Sequence, residues 1–315
     1  MSIIIETQDL TKIYDGNAVV DHLNFQVKKG ELLSLLGPNG AGKSTTINML
    51  TTILKPDDGT ALIKGYDIKK NKKRIREIIG VTPQELVFYD ELTARENLVF
   101  FGQMHYIPKN QLKVEAEKIL EKLGLAERRD KSKNFSGGMK RRLNMAINMI
   151  MNPEILFLDE PTAGLDPQAR HVVWDYIGEV KQQGRTIILT THDMHEAEIL
   201  SDRVIIIDNG KIIAEGTPEA LKEKYSERNV LEIKFKDDSK IEDLKEKLKP
   251  LEFVKEILVD EDKSASIFFD GGIINFTKIL NQEIITDVKE LEMMNLRQNT
   301  LEDVFLKLTG KRLRD

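Results

Sequence analysis

Cysteine is absent from this 315-residue sequence, which excludes both a disulfide framework and a thiolate zinc site. A reducing compartment is compatible with that absence. No run of about eighteen apolar residues occurs, so no segment is expected to span a bilayer, and action at a membrane would need another chain to cross it. The first residues, Met1-Ser2-Ile3-Ile4-Ile5-Glu6, lack a basic region and a long apolar core, so a signal peptide is not expected. Excess positive charge is missing too. With 47 basic and 52 acidic residues the formal net charge is −5, which gives no global reason to expect nucleic-acid binding. The length leads us to expect a first domain of roughly 220 residues with a smaller companion.

What is present starts with Leu35-Leu36-Gly37-Pro38-Asn39-Gly40-Ala41-Gly42-Lys43-Ser44-Thr45-Thr46, which fits G-x-x-x-x-G-K-[ST]. Glycines let a backbone turn its N–H groups inward around phosphate oxygens, where a Cβ would obstruct. Lys43 adds a point charge for the β and γ phosphates, Ser44 offers a hydroxyl to Mg²⁺, and the helix starting there aims its positive end at the phosphates. Upstream, Glu31-Leu32-Leu33-Ser34-Leu35-Leu36 reads as a buried strand, the context this loop requires.

Ile3 to Leu10 and Leu23 to Val27 look like an antiparallel start, with Asp15-Gly16-Asn17 as a turn signal between them. Tyr14 is either an ordinary edge aromatic or a ring that stacks on a base. Lys69 to Arg76 holds six basic residues in eight positions: a solvated helix face, or a surface for lipid headgroups or an acidic partner. Gln84 is a lone amide after a short strand. Thr93 with Glu96 has capping-box spacing, and Gln111 to Leu123 is amphipathic. Ser136-Gly137-Gly138 at a helix start is a plain N-cap or a second anion site.

Ile155-Leu156-Phe157-Leu158 runs into Asp159 and Glu160, the way P-loop enzymes bring an aspartate near Mg²⁺. Trp174 reads as core. Thr186 to Thr191 ends at His192, and Gly37, Asp159 and His192 all follow apolar runs; in parallel α/β sheets ligands bind at such carboxyl ends. From about Asn229 the pattern reads β, α, β, β, α, β, with Ile284 to Leu291 as the last strand. That order matches a ferredoxin-like plan. In the tail, Asn299 as cap with Glu302 three residues on, and Leu301, Val304, Phe305 and Leu308 at helical spacing, predict an amphipathic helix. Such a helix needs its face buried against its own C-terminal domain, the first domain or a partner subunit. We expect it to join the C-terminal domain to a dimer.

Taken together, the first 225 or so residues resemble the nucleotide-binding subunit of ATP-binding cassette (ABC) transporters. The resemblance implies a P-loop α/β cassette with a RecA-like core, an antiparallel β subdomain and a helical subdomain. It implies ATP and Mg²⁺ as ligands. Tyr14 resembles the family's adenine-stacking aromatic, Gly37 to Thr45 the Walker A loop, and Gln84 the glutamine that contacts Mg²⁺ and the attacking water. Phe135-Ser136-Gly137-Gly138-Met139 is similar to the family signature, with Phe for the usual Leu and Met for the commoner Gln. Asp159 matches the Walker B aspartate, Glu160 the general base, Asp166 the D-loop residue and His192 the switch histidine.

The extension and Thr300-Leu301-Glu302-Asp303-Val304-Phe305-Leu306 resemble the daunorubicin-resistance and sodium-export branch, in which the ATPase and the membrane protein are separate chains. Expected boundaries are 1–225 for the cassette, 226–298 for a ferredoxin-like α+β domain and 299–315 for the tail. Implied partners are a second copy arranged head to tail and a separate transmembrane permease, without nucleic acid, at the cytoplasmic face of the membrane. The rival reading is a soluble, non-transport ABC ATPase. Relatives of that kind usually carry two cassettes or a long coiled-coil insertion, and this chain has neither.

Overall fold

The computed structural model describes residues 2–225, 227, 229–236, 240–259, 264–280 and 291–310. Two compact units divide at Glu215 and Gly216. The first is built on a six-stranded sheet in the order Lys211–Gly216, Arg203–Asp208, Leu32–Leu36, Thr186–Thr191, Ile155–Asp159, Ile79–Thr82. From Arg203–Asp208 to Ile79–Thr82 every neighbouring pair is parallel, so five strands deliver their carboxyl ends to one edge. The three central strands are buried at every position, which is why they read as apolar runs and not as alternation. Asn209 and Gly210, both at positive φ, turn the hairpin between Arg203–Asp208 and Lys211–Gly216.

A second, antiparallel sheet is formed around Ile3–Tyr14, flanked by Asn17–Leu23 and Asp58–Ile63. The run Leu23 to Val27, expected as one strand, is divided between Asn17–Leu23 and Gln26–Lys28. His22 at φ 52° and the Asn24 side chain, which bonds Asp9, make the break. Helices Ala94–Met104, Lys109–Lys122 and Gly137–Met149 share one apolar core; the first is capped by Thr93 and Glu96 in the expected box. Of the basic run, Lys69, Lys70, Lys72, Lys73 and Arg74 are exposed, while Arg76 bonds Thr52. No described helix is long and apolar enough to cross a membrane.

The second unit holds a four-stranded antiparallel sheet in the order Val254–Val259, Ser264–Phe269, Asn229–Phe235, Leu291–Gln298. Helices Lys240–Leu248 and Gly272–Leu280 supply apolar residues to the core formed by Leu231, Ile233, Phe235, Ala265, Ile267 and Phe269. The final strand starts at Leu291, where the sequence reading ends it; residues 284–290 of that reading lie outside the described residues. Helix Pro218–Tyr225, expected in the cassette, belongs to this unit, where it packs against the tail helix Leu301–Thr309.

The tail helix is capped by Thr300 and Asp303, not by Asn299 and Glu302. Asp303 accepts from Thr300 N at 2.8 Å and is clamped by Arg297 at 2.6 and 2.9 Å, whereas the Asn299 amide donates to Lys222 O at 3.1 Å. Burial works against the Arg297 charge, but Asp303 and Glu232 outweigh it and raise its pKa. Leu301, Val304, Phe305 and Leu306 are buried within the unit, and the Lys307 ammonium lies 4.5 Å from the Phe268 ring centroid. Of the three surfaces weighed for this face, the helix uses its own C-terminal unit. Phe305→Glu is therefore expected to destabilise that unit by roughly 3–5 kcal/mol, from lost phenyl burial and a carboxylate without a partner. Hydrogen exchange should show protection falling in Asn229–Phe235 and Ser264–Phe269 with ATP affinity unchanged; full protection would contradict the packing.

Candidate functional site

The loop after Leu32–Leu36 needs glycine for a reason beyond a phosphate. A Cβ on Gly37 would lie 2.1 Å from the Ile207 carbonyl oxygen, and one on Gly42, at φ 99°, would lie 2.4 Å from that of Val19. Those two glycines let the loop pass its own sheet and the Asn17–Leu23 strand; at Gly40 a Cβ would meet nothing. Asn39 and Gly40 form the exposed tip, and Ala41 N donates back to Pro38 O at 3.1 Å. Helix Lys43–Leu50 begins at Gly42 with no side-chain cap, Thr45 lying in its first turn.

Lys43 is buried, its Nζ donating to Gly37 O at 2.7 Å and Pro38 O at 3.0 Å, with Glu160 Oε1 at 3.7 Å. Burial pushes its pKa down, against the pull of Glu160 and Asp159. Ser44 Oγ donates to Asp159 Oδ1 at 2.9 Å. Glu160 follows strand Ile155–Asp159 in the left-handed region, at φ 47°. Its Oε1 lies 3.2 Å from His192 Nδ1, and its Oε2 accepts from Gln84 Nε2 at 3.5 Å. Lys43, Ser44, Gln84, Asp159, Glu160 and His192 thus meet at the common carboxyl edge of the sheet.

The other expected residues bond locally. Tyr14 is half-exposed beneath the Lys12 ammonium, 5.2 Å from its ring centroid, on the hairpin whose second strand passes Gly42. Ser136 caps helix Gly137–Met149, its Oγ accepting from Met139 N at 3.3 Å. Asp166 caps helix Pro167–Gln182, accepting from Ala169 N at 2.8 Å. A Cβ on Gly138 would lie 3.3 Å from Leu165, whereas on Gly137 it would meet open space.

Three features escaped the sequence reading. The Thr190 hydroxyl accepts from Glu160 N at 3.1 Å and donates to Asp159 Oδ1, joining the two acids. Glu196 is buried, accepting from Thr162 Oγ1 at 2.6 Å and from Trp174 Nε1 at 2.9 Å, and burial raises its pKa. Arg141, also buried, donates to the carbonyls of Gln84, Asp159, Glu160 and Pro161. The paired threonines at the end of Thr186–Thr191 were the available signal for the first; Arg141 in a basic run gave none.

Residues 20–163 match the family model described as ABC transporter. The chain is 40% identical over 309 residues to the daunorubicin/doxorubicin resistance ATP-binding protein DrrA of Streptomyces peucetius, covering 97% of this chain and 92% of that protein. It is 38% identical to the Nod factor export ATP-binding protein I of Paraburkholderia xenovorans, covering 99% and 98%. Among solved structures, a dimeric ATP-binding cassette in a post-hydrolysis state with ADP and Pi superposes with TM-score 0.63 at 26% identity, over 68% of this chain and 98% of that one. The chain belongs to the ABC transporter family, as one of its ATP-binding, ATP-hydrolysing subunits.

Proposed function

We propose that this chain is the ATPase of a two-component exporter, pairing head to tail with a second copy and driving a separate permease from the cytoplasmic face of the membrane. The observation that carries the pairing is the start of helix Gly137–Met149. Glycine weakens a helix by up to about 1 kcal/mol per residue, and none of the described residues approaches the space a Gly137 side chain would fill. No described neighbour accounts for glycine there, and in this reading the demand comes from a second copy. A γ-phosphate held in a partner's P-loop meets it, because an uncrowded helix N-terminus offers N–H donors to an anion. Tyr14 stacks on the adenine in this reading, and Asp166 lies along the shared boundary. The exporter reading draws on the relatives named for drug resistance and Nod factor export.

In each site the loop Gly37 to Thr45 and Lys43 hold the β and γ phosphates. Ser44 and Asp159 present two oxygens 2.9 Å apart, a donor set suited to Mg²⁺, which takes few protein oxygens and leaves room for phosphates and water. With Gln84 they would hold the ion, which neutralises phosphate charge. Glu160 takes a proton from water as its oxygen bonds to the γ-phosphorus; the bond to the β-γ bridging oxygen breaks, releasing ADP and phosphate. His192 holds the γ-phosphate, with Glu160 3.2 Å from its ring. Affinity purification of the tagged chain from native membranes tests the assignment. A multi-span membrane protein should co-purify and change the ATPase rate; a chain wholly in the soluble fraction, without such a protein, would contradict it.

A further inference from the structure

Arg141 lies in the second turn of helix Gly137–Met149, five residues beyond Ser136, with only 7% of its surface exposed. Its guanidinium reaches Pro161 O through Nε at 3.3 Å, Gln84 O through Nη1, and both Asp159 O at 3.2 Å and Glu160 O through Nη2. All four are main-chain carbonyls. Along an extended strand successive carbonyls point to opposite sides, so three consecutive ones cannot meet one group unless the chain bends between them. The bend is Glu160, a non-glycine residue at φ 47°, a sparsely populated conformation that persists only when its surroundings fix it. A planar fork with five donors matches such a cluster, whereas a lysine ammonium on the same stem is a single point. Burial depresses the Arg141 pKa, opposed by Asp159 and Glu160.

We infer that Arg141 is a positioning residue for hydrolysis: it locks the bent main chain of Glu160 and ties it to the Gln84 loop and to the helix that begins at Ser136. The inference rests on Glu160 being the base. Through this tie a shift of the Ser136 helix, or of the Gln84 loop, is passed to the backbone that carries the Glu160 carboxylate, without any contact between Arg141 and ATP.

The test uses the full chain with Arg141→Met, which removes the donors and keeps an apolar stem, Arg141→Lys, which keeps the charge and removes the fork, and Glu160→Gln as reference. For Arg141→Met, turnover should fall roughly tenfold or more, as expected when a reacting group is held loosely. ATP affinity should stay within about threefold of the parent, and ATP-loaded dimer should accumulate as it does for Glu160→Gln. Arg141→Lys should remain at least about threefold slower than the parent. Turnover of Arg141→Met within twofold of the parent, or a loss that equals its loss of ATP affinity, overturns the inference. If Arg141→Met does not fold, parent-like turnover of Arg141→Lys overturns it instead. Parent-like turnover of Glu160→Gln would mean that the base assignment itself has failed, a separate result from either.

Discussion

Glu160→Gln should keep ATP bound while steady-state hydrolysis falls by two or more orders of magnitude, the range expected when a general base is lost. The substitution keeps the shape of a side chain held on several sides: Lys43 Nζ at 3.7 Å, His192 Nδ1 at 3.2 Å and Gln84 Nε2 at 3.5 Å. Its main chain is tied by Thr190, whose hydroxyl accepts from Glu160 N at 3.1 Å, and by Arg141. An amide fits that frame but takes no proton from water. ATP should then accumulate between two subunits, and size-exclusion chromatography should show an ATP-dependent dimer that the parent protein dissolves by turnover. Unchanged hydrolysis would falsify the role given to Glu160.

Of the residues that meet at the sheet edge, Lys43 and Ser44 were legible from the glycine-rich motif, and Asp159, Glu160 and His192 because each ends or follows a buried strand, whereas Gln84 read only as a lone amide. Leu32–Leu36, Ile155–Asp159 and Thr186–Thr191 carry apolar or β-branched side chains at nearly every position, and the chemistry begins where the apolar run stops. Thr190 was hidden by the same pattern, since a threonine inside a strand reads as ordinary β-branched packing until the neighbouring strand brings Asp159 beside it. Arg141 was hidden more deeply. Its partners are carbonyls that converge only because Glu160 adopts φ 47°, and no side-chain pattern encodes that bend.

In the second unit, the tail cap slipped by one residue because Asn299 and Thr300 are both good caps with an acid three residues on. The half-buried Arg297, which clamps Asp303, decides between them. The unit boundary moved from 225 to 215 for a similar reason: helix Pro218–Tyr225 reads as amphipathic wherever it packs, and its partner, Leu301–Thr309, is far away in sequence. Gly37 and Gly42 were assigned correctly to a tight loop, but the crowding that requires them is with the chain's own backbone.

A dimer built from two different lesions tests the pairing itself. Lys43→Ala removes the buried ammonium from the P-loop, and Ser136→Arg places a bulky cation on an exposed helix start in place of the hydroxyl that caps Met139 N. Homodimers of either variant carry the lesion in both sites and should turn over ATP at less than about one hundredth of the parent rate. In the mixed dimer, head-to-tail pairing puts both lesions into the same site and leaves the other with an intact P-loop and an intact helix start. Separately tagged subunits, purified through both tags in turn, allow ATP hydrolysis by that mixed dimer to be measured. Turnover near half that of the parent dimer is the expected result; turnover no higher than that of either homodimer would contradict an account in which two copies share sites that fire independently, since either the sites are not shared or both must fire together.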